Sequence, residues 1–227
     1  MANPNHIRSA GKGRHLRLII ATAVLLLGGS LTPHAIALGD AVMEWNQIAL
    51  AATVSAGQGP LPQSRSMTIV QVAVHDAVNG ITNKHDTYLP YGPAPAGASP
   101  EAAAIAAAHR ALSTLFPSQS STLTPARAAS LAARNLTETN PGIGWGEQVA
   151  NSILAARLND GASQAQFTYA AAGAGSPGVW VPVGTAAAVL PGWGNLTPWV
   201  LHNDSQFHPE GPPPLQSARY ARDYREV

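Results

Sequence analysis

The pair of side chains best suited to chemistry in this sequence is His75 and Asp76, which stand side by side in the segment VAVHDAVNGI. An imidazole and a carboxylate together suit proton transfer or metal binding. The apolar spacing around them predicts a helix, however, and adjacent helical positions point about 100° apart, so the two groups cannot hold one proton or ion together. We therefore expect each to satisfy a polar group of a neighbouring loop, with Asn79 joining Asp76 in a hydrogen-bond network.

Four further histidines offer weaker candidates. With their polar neighbours they are His85-Asp86 after Lys84, His109-Arg110 in an alanine-rich segment, and the trio His202, Asp204 and His208 in HNDSQFH. The trio contains side-chain types that bind cations, but its loose spacing in a loop is a weak indication of a metal site. We expect the loop residues to be solvated, and we assign no catalytic, cofactor-binding or metal-binding residue.

Sequence motifs of common catalytic sites are missing. The chain has no cysteine, no Gly-x-Ser-x-Gly elbow, no glycine-rich phosphate loop opening a helix and no His-Glu-x-x-His. Ser64, Ser99 and Ser217 have structural explanations as helix caps or turn residues. The residues taken alone do not assemble an active site.

Length, composition and charge favour one soluble, helix-rich domain. The 227 residues are 45% apolar, which is enough for a sizeable core. The formal net charge of +1 depends on four basic residues before position 18, because the chain from residue 38 onward carries 9 basic and 12 acidic side chains, a net of −3. We therefore expect no nucleic-acid partner.

The first 37 residues have the pattern of an export signal. A basic region ends at Arg17, an apolar run covers residues 18–29, and Ala35-Ile36-Ala37 supplies the small residues that a signal peptidase requires. We predict cleavage after Ala37 and a periplasmic or extracellular mature protein. The apolar run is shorter than the roughly 20 residues that cross a bilayer, so we expect no stable membrane span after cleavage; an uncleaved anchor is the alternative.

Apolar residues at intervals of three and four predict five helices before residue 161. They are one capped by Asp40, one over Ser64–Ile81, one after Ser99-Pro100, one over about Ala126–Leu136 after Thr124-Pro125, and one over about Trp145–Asn159 with Leu158 inward and Gly161 left-handed beyond its end. We expect the second helix to be the most central, because its apolar residues occur almost all round. The loop 84–98 should pack Tyr88 and Tyr91 against the bundle.

Residues 178–215, which we call the wrap, combine regularly placed aromatic rings with frequent prolines that forbid helix. We expect Trp180, Trp193, Trp199 and Phe207 to bury on the order of 150 to 250 Å² each. A sixth helix should begin at Ser217. The fold class is therefore all-α, an irregular bundle of five to six helices with a long extended wrap.

The order of these features resembles the N-terminal half of bacterial vanadium-dependent haloperoxidase-like proteins of the type 2 phosphatidic acid phosphatase superfamily. The likeness rests on Trp45-Asn46, RSMTIVQVAVHDAVNGI, the alanine-rich helix after Ser99-Pro100-Glu101, Asn159-Asp160-Gly161, and the segments GVWVP, PGWGNLTPW, SQFHPEGPPPL and SARYARDYREV. The resemblance implies an all-helical scaffold, here residues 38–227, that ends within a helix at Val227.

The resemblance also implies that the chemistry lies elsewhere. Such proteins hold vanadate or phosphate with a Lys-x6-Arg-Pro stretch, a Pro-Ser-Gly-His stretch and a Ser-Arg-x3-Gly-x-His stretch, because an oxyanion requires convergent donors and cations. In this chain Tyr91 stands where the arginine would follow Lys84, Gln119-Ser120 stand after Pro117-Ser118, and Ile69 and Gln71 follow Ser64-Arg65. We expect vanadate in the intact family enzyme and no cofactor in this chain.

Two function classes remain open from the sequence. In the first, the chain is the exported scaffold half of a haloperoxidase-like enzyme, or of a phosphatase-type member of the same superfamily, and is inactive alone. In the second, it is a non-catalytic exported helical protein for binding or assembly. Broad apolar helix faces would leave an exposed apolar patch on such a half-bundle, so we expect poor solubility or self-association of the isolated chain.

Overall fold

The structure, a computed structural model, describes residues 40–226, so the predicted signal peptide, its cleavage site and Val227 lie outside the described residues. Within that range the fold is all-α, an irregular helical bundle with no β-strand. The six α-helices are α1 (Ala41–Ser55), α2 (Pro60–Thr82), α3 (Pro100–Leu115), α4 (Ser120–Ala133), α5 (Pro141–Ala156) and α6 (Ala218–Arg225).

Side-chain caps begin four of the helices. Asp40 Oδ1 accepts a hydrogen bond from the Val42 amide at 2.8 Å, Ser99 Oγ accepts from the Ala102 amide at 3.3 Å, and Ser217 Oγ accepts from the Tyr220 amide at 3.0 Å. Asn140 caps α5 in the same way. These bonds satisfy first-turn amides that have no partner within the helix. Ser64 is not a cap: it lies inside α2 and donates to the Leu61 carbonyl.

Helix α3 occupies the centre of the bundle. All seven residues from 102 to 108 are buried, and α3 packs against α1, α2, α4 and α5. The prediction that the second helix is the most central is therefore wrong. Six of these seven residues are alanine, so neighbouring helices can approach α3 from several sides, whereas α2 exposes His75 on its outer side.

The contact between α3 and α5 is close enough to require glycine. A Cβ atom built on Gly146 would overlap the backbone carbonyl of Ala103. One residue earlier, Trp145 fills the space between α5 and α2, where its indole Nε1 donates to the Ala77 carbonyl at 2.9 Å. Its ring also meets Tyr91 edge-on, with ring centroids 5.8 Å apart.

Several predicted helix boundaries are wrong. Helix α2 begins at Pro60 rather than Ser64, α4 covers Ser120–Ala133 with Pro125 inside it, and α5 begins four residues early and ends at Ala156. Proline is compatible with the first turn of a helix, so α2 begins at Pro60, four residues before the predicted start. Leu158 is consequently beyond α5 and is 73% exposed, although Gly161 adopts the predicted left-handed conformation with φ 97°.

The wrap is irregular apart from one 3-10 turn, Trp193–Asn195, and only part of it packs on the helices. Trp193 and Trp199 are partly buried, and the Tyr88 ring lies 5.5 Å from the Trp199 ring. Trp180 and Phe207 are 59% and 76% exposed, so the prediction that all four rings bury is wrong for these two. None of the helices in residues 40–226 is long and apolar enough to cross a membrane.

The approach of α5 to α3 gives a prediction on stability. Gly146→Ala should destabilise the protein by about 1 to 3 kcal/mol, because the added methyl group forces the two helices apart. Gly144→Ala is the matched control on the same helix, since a Cβ there meets nothing within 4 Å, and it should be neutral or stabilise by up to about 1 kcal/mol. Urea unfolding measures both; equal effects would contradict the close-approach account.

Candidate functional site

Asp76 is the best-satisfied buried acid in the bundle, and its partners are loop residues. Its side chain is fully buried on α2. Oδ1 accepts from the Tyr88 amide at 2.7 Å, while Oδ2 accepts from the Leu89 amide and the Tyr91 hydroxyl, each at 3.1 Å. A buried carboxylate is tolerated only with such partners. The predicted structural role of Asp76, fastening a neighbouring loop to α2, is confirmed.

His75 and Asn79, which are close to Asp76 on α2, make different contacts. His75 Nδ1 lies 3.1 Å from Asp76 Oδ1, so the expectation that these adjacent groups cannot hold one proton together is wrong, because rotation about the side-chain bonds brings them within hydrogen-bond distance. The His75 side chain is 46% exposed. Asn79 Nδ2 donates to the His75 carbonyl oxygen, so the predicted Asp76–Asn79 network is not formed. Burial, followed by the charge and hydrogen bond of Asp76, raises the pKa of the Tyr91 hydroxyl, which therefore stays protonated and donates.

His109 belongs to a charged cluster between α3, α4 and α5. Arg127 Nη1 lies 2.6 Å from Glu147 Oε1 and 3.2 Å from His109 Nδ1, and its other side pairs with Glu138. The Trp45 ring meets the imidazole edge-on at 6.1 Å. Burial and then the charge of Arg127 hold the pKa of His109 below its ordinary value, so the ring is neutral at pH 7.

Ser113 and His109 resemble a nucleophile and its base by distance alone, since Ser113 Oγ is 3.3 Å from His109 Nε2. Arginine can only donate, so Nδ1 must accept from Arg127 and the proton of the neutral ring stands on Nε2. Nε2 then donates to Ser113. A catalytic base requires the opposite arrangement, in which the nitrogen facing the serine accepts its proton. The pair is therefore unsuited to activate Ser113.

A second charged cluster, which we call the Asp160 clamp, joins α2, the end of α5 and the wrap. Asp160 Oδ2 accepts from Arg65 Nε at 2.7 Å and from Arg157 Nε at 3.1 Å. Arg157 also donates to the Thr197 and Pro198 carbonyls, and its guanidinium lies 4.1 Å from the centre of the Trp199 ring. Burial would raise the pKa of Asp160, but hydrogen bonding to Arg65 and the charges of both arginines hold it below its usual range.

The Asp160 clamp could not be predicted from the sequence. The only local signal was the spacing of three between Arg157 and Asp160 near a helix end, which favours an ion pair on one helical face. The third member, Arg65, lies 95 residues before Asp160. No local pattern reports such a pairing.

The remaining sequence candidates do not form a site. Lys84, His85 and Asp86 are exposed, as are all three residues of the HNDSQFH trio. Within residues 40–226, no three His, Asp or Glu side chains are placed to hold one metal ion. The prediction that the loop residues are solvated is confirmed.

Arg65, Lys84 and Ser118 are similar in type to residues of the vanadate-binding stretches named above, but they do not lie around one common oxyanion site. Arg65 lies near the start of α2 and Lys84 just beyond its end, which separates their backbones by on the order of 30 Å along the helix. Arg65 is already engaged by Asp160, and Ser118 is exposed in a 3-10 turn before α4. Arg65, Lys84 and Ser118 are therefore not placed to bind one anion together.

Comparison of the chain with protein-family models, with curated proteins and with solved structures gives no match. The contacts of the described residues are therefore the basis for a functional assignment.

Asp76→Ala should free the loop that follows α2. It leaves two amides and a hydroxyl without an acceptor, at a cost of about 1 to 3 kcal/mol for each donor that stays buried. Amide hydrogen exchange at Tyr88 and Leu89 should accelerate strongly. His75→Ala is the matched control, which should change stability by less than about 1 kcal/mol because it loses one partly exposed hydrogen bond. Unchanged exchange at Tyr88 in Asp76→Ala would refute the role of the carboxylate.

The low pKa of His109 predicts loss of stability in mild acid. A histidine in the unfolded chain has a pKa of about 6.5, whereas the pKa of His109 in the folded protein is lower. Protonation therefore favours the unfolded state, so the free energy of unfolding is highest above that pH and decreases as the pH falls. The pKa of Glu147 is also held low: burial would raise it, but hydrogen bonding to Arg127 outweighs that effect, and its contribution is lost at lower pH still. His109→Gln should flatten the decline of urea stability between pH 7 and 5. An equal change of urea stability with pH in wild type and variant would contradict this role of His109.

Proposed function

We propose that this chain is an exported helical scaffold, the supporting half of a vanadium-dependent haloperoxidase-like protein, and that it is inactive alone. Its arginines support this proposal. Arg127 joins α4 to α5 through Glu147. Arg157 donates to the Thr197 and Pro198 carbonyls of the wrap, and both Arg157 and Arg65 pair with Asp160. These cations stabilise the architecture, while catalysis of the family type requires cations that converge on an open oxyanion site.

The single observation that carries the proposal is the uncovered apolar surface of the wrap. Val183, Phe207 and Val200 are 91%, 76% and 84% exposed, and Trp180 is more than half exposed. No Asp, Glu, Lys or Arg occurs between residues 161 and 203. Exposed apolar side chains within or next to a segment without charge are typical of an interface. We assign this surface to contact with the polypeptide that supplies the oxyanion-binding groups.

The decisive experiment is to read the coding DNA beyond codon 227. The proposal expects the three oxyanion-binding stretches there, in any reading frame, and their sequence would also separate a peroxidase from a phosphatase-type member. A stop codon followed by unrelated sequence would contradict the proposal and leave the non-catalytic alternative.

That alternative, an exported binding or assembly protein, is favoured by one further observation. Helix α1 exposes Met43, Leu50 and Val54 at 64%, 49% and 63% along one face. Such a stripe suits a helix-to-helix contact, and we expect self-association of the purified chain. Leu50→Lys should shift sedimentation velocity toward monomer, whereas Ser55→Lys should not, because Ser55 is exposed on α1 about 100° round the helix from Val54. A wild-type monomer at high concentration would contradict self-association.

A further inference from the structure

The Asp160 clamp borders a surface cavity that none of the structural roles above requires. The cavity has a volume of about 200 Å³ and lies between α2 and the wrap. Its polar lining comes from Ser64, Arg65 and Thr68 of α2 and from Arg157; its apolar lining comes from Trp193, Leu196, Pro198 and Trp199. A cationic wall therefore faces aromatic and aliphatic walls across one small space.

The charge at this cavity is unbalanced. Arg65 and Arg157 share the single carboxylate of Asp160, which leaves a net charge of +1. The Asp160 side chain is 1% exposed and the Arg157 side chain 4%, so solvent screens the clamp only weakly. A ligand with one negative charge would complete the neutralisation.

Arg65 has donors left for such a ligand. Its Nε donates to Asp160, and its Nη2 donates to the Arg157 carbonyl at 2.8 Å. Its Nη1 has no acceptor among residues 40–226, and its side chain is 19% exposed. The guanidinium is thus fixed by two bonds on one side and free on the other. A fixed guanidinium with a free edge binds carboxylates at a low entropic cost.

The hydroxyl groups in the cavity add no donors. Ser64 Oγ donates to the Leu61 carbonyl and Thr68 Oγ1 donates to the Ser64 carbonyl at 2.7 Å. A tetrahedral dianion, which requires several convergent donors, is poorly served by one arginine. A carboxylate requires only the free edge of Arg65.

We propose that this cavity binds a small monocarboxylate. The carboxylate contacts the free edge of Arg65, and a short apolar body packs against Trp193, Leu196 and Pro198. The volume is below the roughly 300 to 1,000 Å³ of sites that enclose drug-sized ligands, which restricts the ligand to a few carbon atoms. The site goes beyond the scaffold function and does not rest on it, since neither result at this cavity depends on what lies beyond codon 227.

The test is an NMR titration of the purified chain with sodium butyrate replacing sodium chloride at constant ionic strength. The Arg65 Nε–H and Trp193 indole signals should shift and saturate. The Arg110 signal is the internal control, because that arginine is 43% exposed, pairs with Glu147 and does not line the cavity. Butyrate should bind about tenfold more tightly than acetate, because each added CH₂ leaves water. Inorganic phosphate should give no saturable shift.

Two variants complete the test. Arg65→Lys should weaken butyrate binding at least tenfold, and Thr68→Leu, which fills the cavity and leaves the clamp intact, should weaken it at least fivefold. The indole N–H signal of Trp145, bonded to the Ala77 carbonyl, reports whether each variant is folded. If Arg65→Lys does not fold, Thr68→Leu decides alone. Equal shifts at Arg110, equal affinity for acetate and butyrate, or wild-type binding by Thr68→Leu would overturn the proposal.

Discussion

The fold depends on how closely four helices can approach the alanine surface of α3. Seven consecutive buried positions, 102 to 108, contain only alanine and one isoleucine. Small side chains allow helix axes to approach closely. Because protein interiors are packed as densely as organic crystals, closely packed helices leave no room for larger side chains between them. The same constraint fixes Gly146 on α5. Where the helices separate, larger groups fill the gap, as Trp145 does between α5 and α2.

Buried charges then fasten the irregular segments to this bundle. Asp76 holds the loop after α2, Arg157 holds the wrap and is paired with Asp160, and Arg127 joins α4 to α5 through Glu147. Each of these groups is acceptable in a protein interior because it has several hydrogen-bond partners. The polar residues that first looked suited to catalysis are therefore explained mainly by architecture. Arg65 is the exception, because it also lines a surface cavity.

Local features of the sequence predicted local structure well. Asp40, Ser99 and Ser217 act as caps because capping involves residues two or three positions apart. The all-α class followed from periodicity. Two helix starts were predicted wrongly near prolines, since α2 begins at Pro60 and α4 continues through Pro125. Proline is tolerated early in a helix, and the tertiary contacts of α2 and α4 outweigh its tendency to end helices. The centrality of α3 was missed because alanine contributes little to an apolar pattern.

The candidate clusters were less predictable than the helices. The loop role of Asp76 followed from the cost of burying a carboxylate, but its partners did not. The contact of His109 with Arg127 and the contact of Arg65 with Asp160 each join distant parts of the chain, and only the packed structure brings them together. The sequence overpredicted the burial of Trp180 and Phe207, because the aromatic content of a segment does not show which surface covers each ring.

The account holds that these residues build a supporting structure and that halide or phosphate chemistry depends on other residues. The most direct measurement is steady-state bromide oxidation by the purified chain with added vanadate and hydrogen peroxide. The account predicts a rate equal to that of vanadate and peroxide without protein. A protein-dependent rate that saturates with bromide would contradict it.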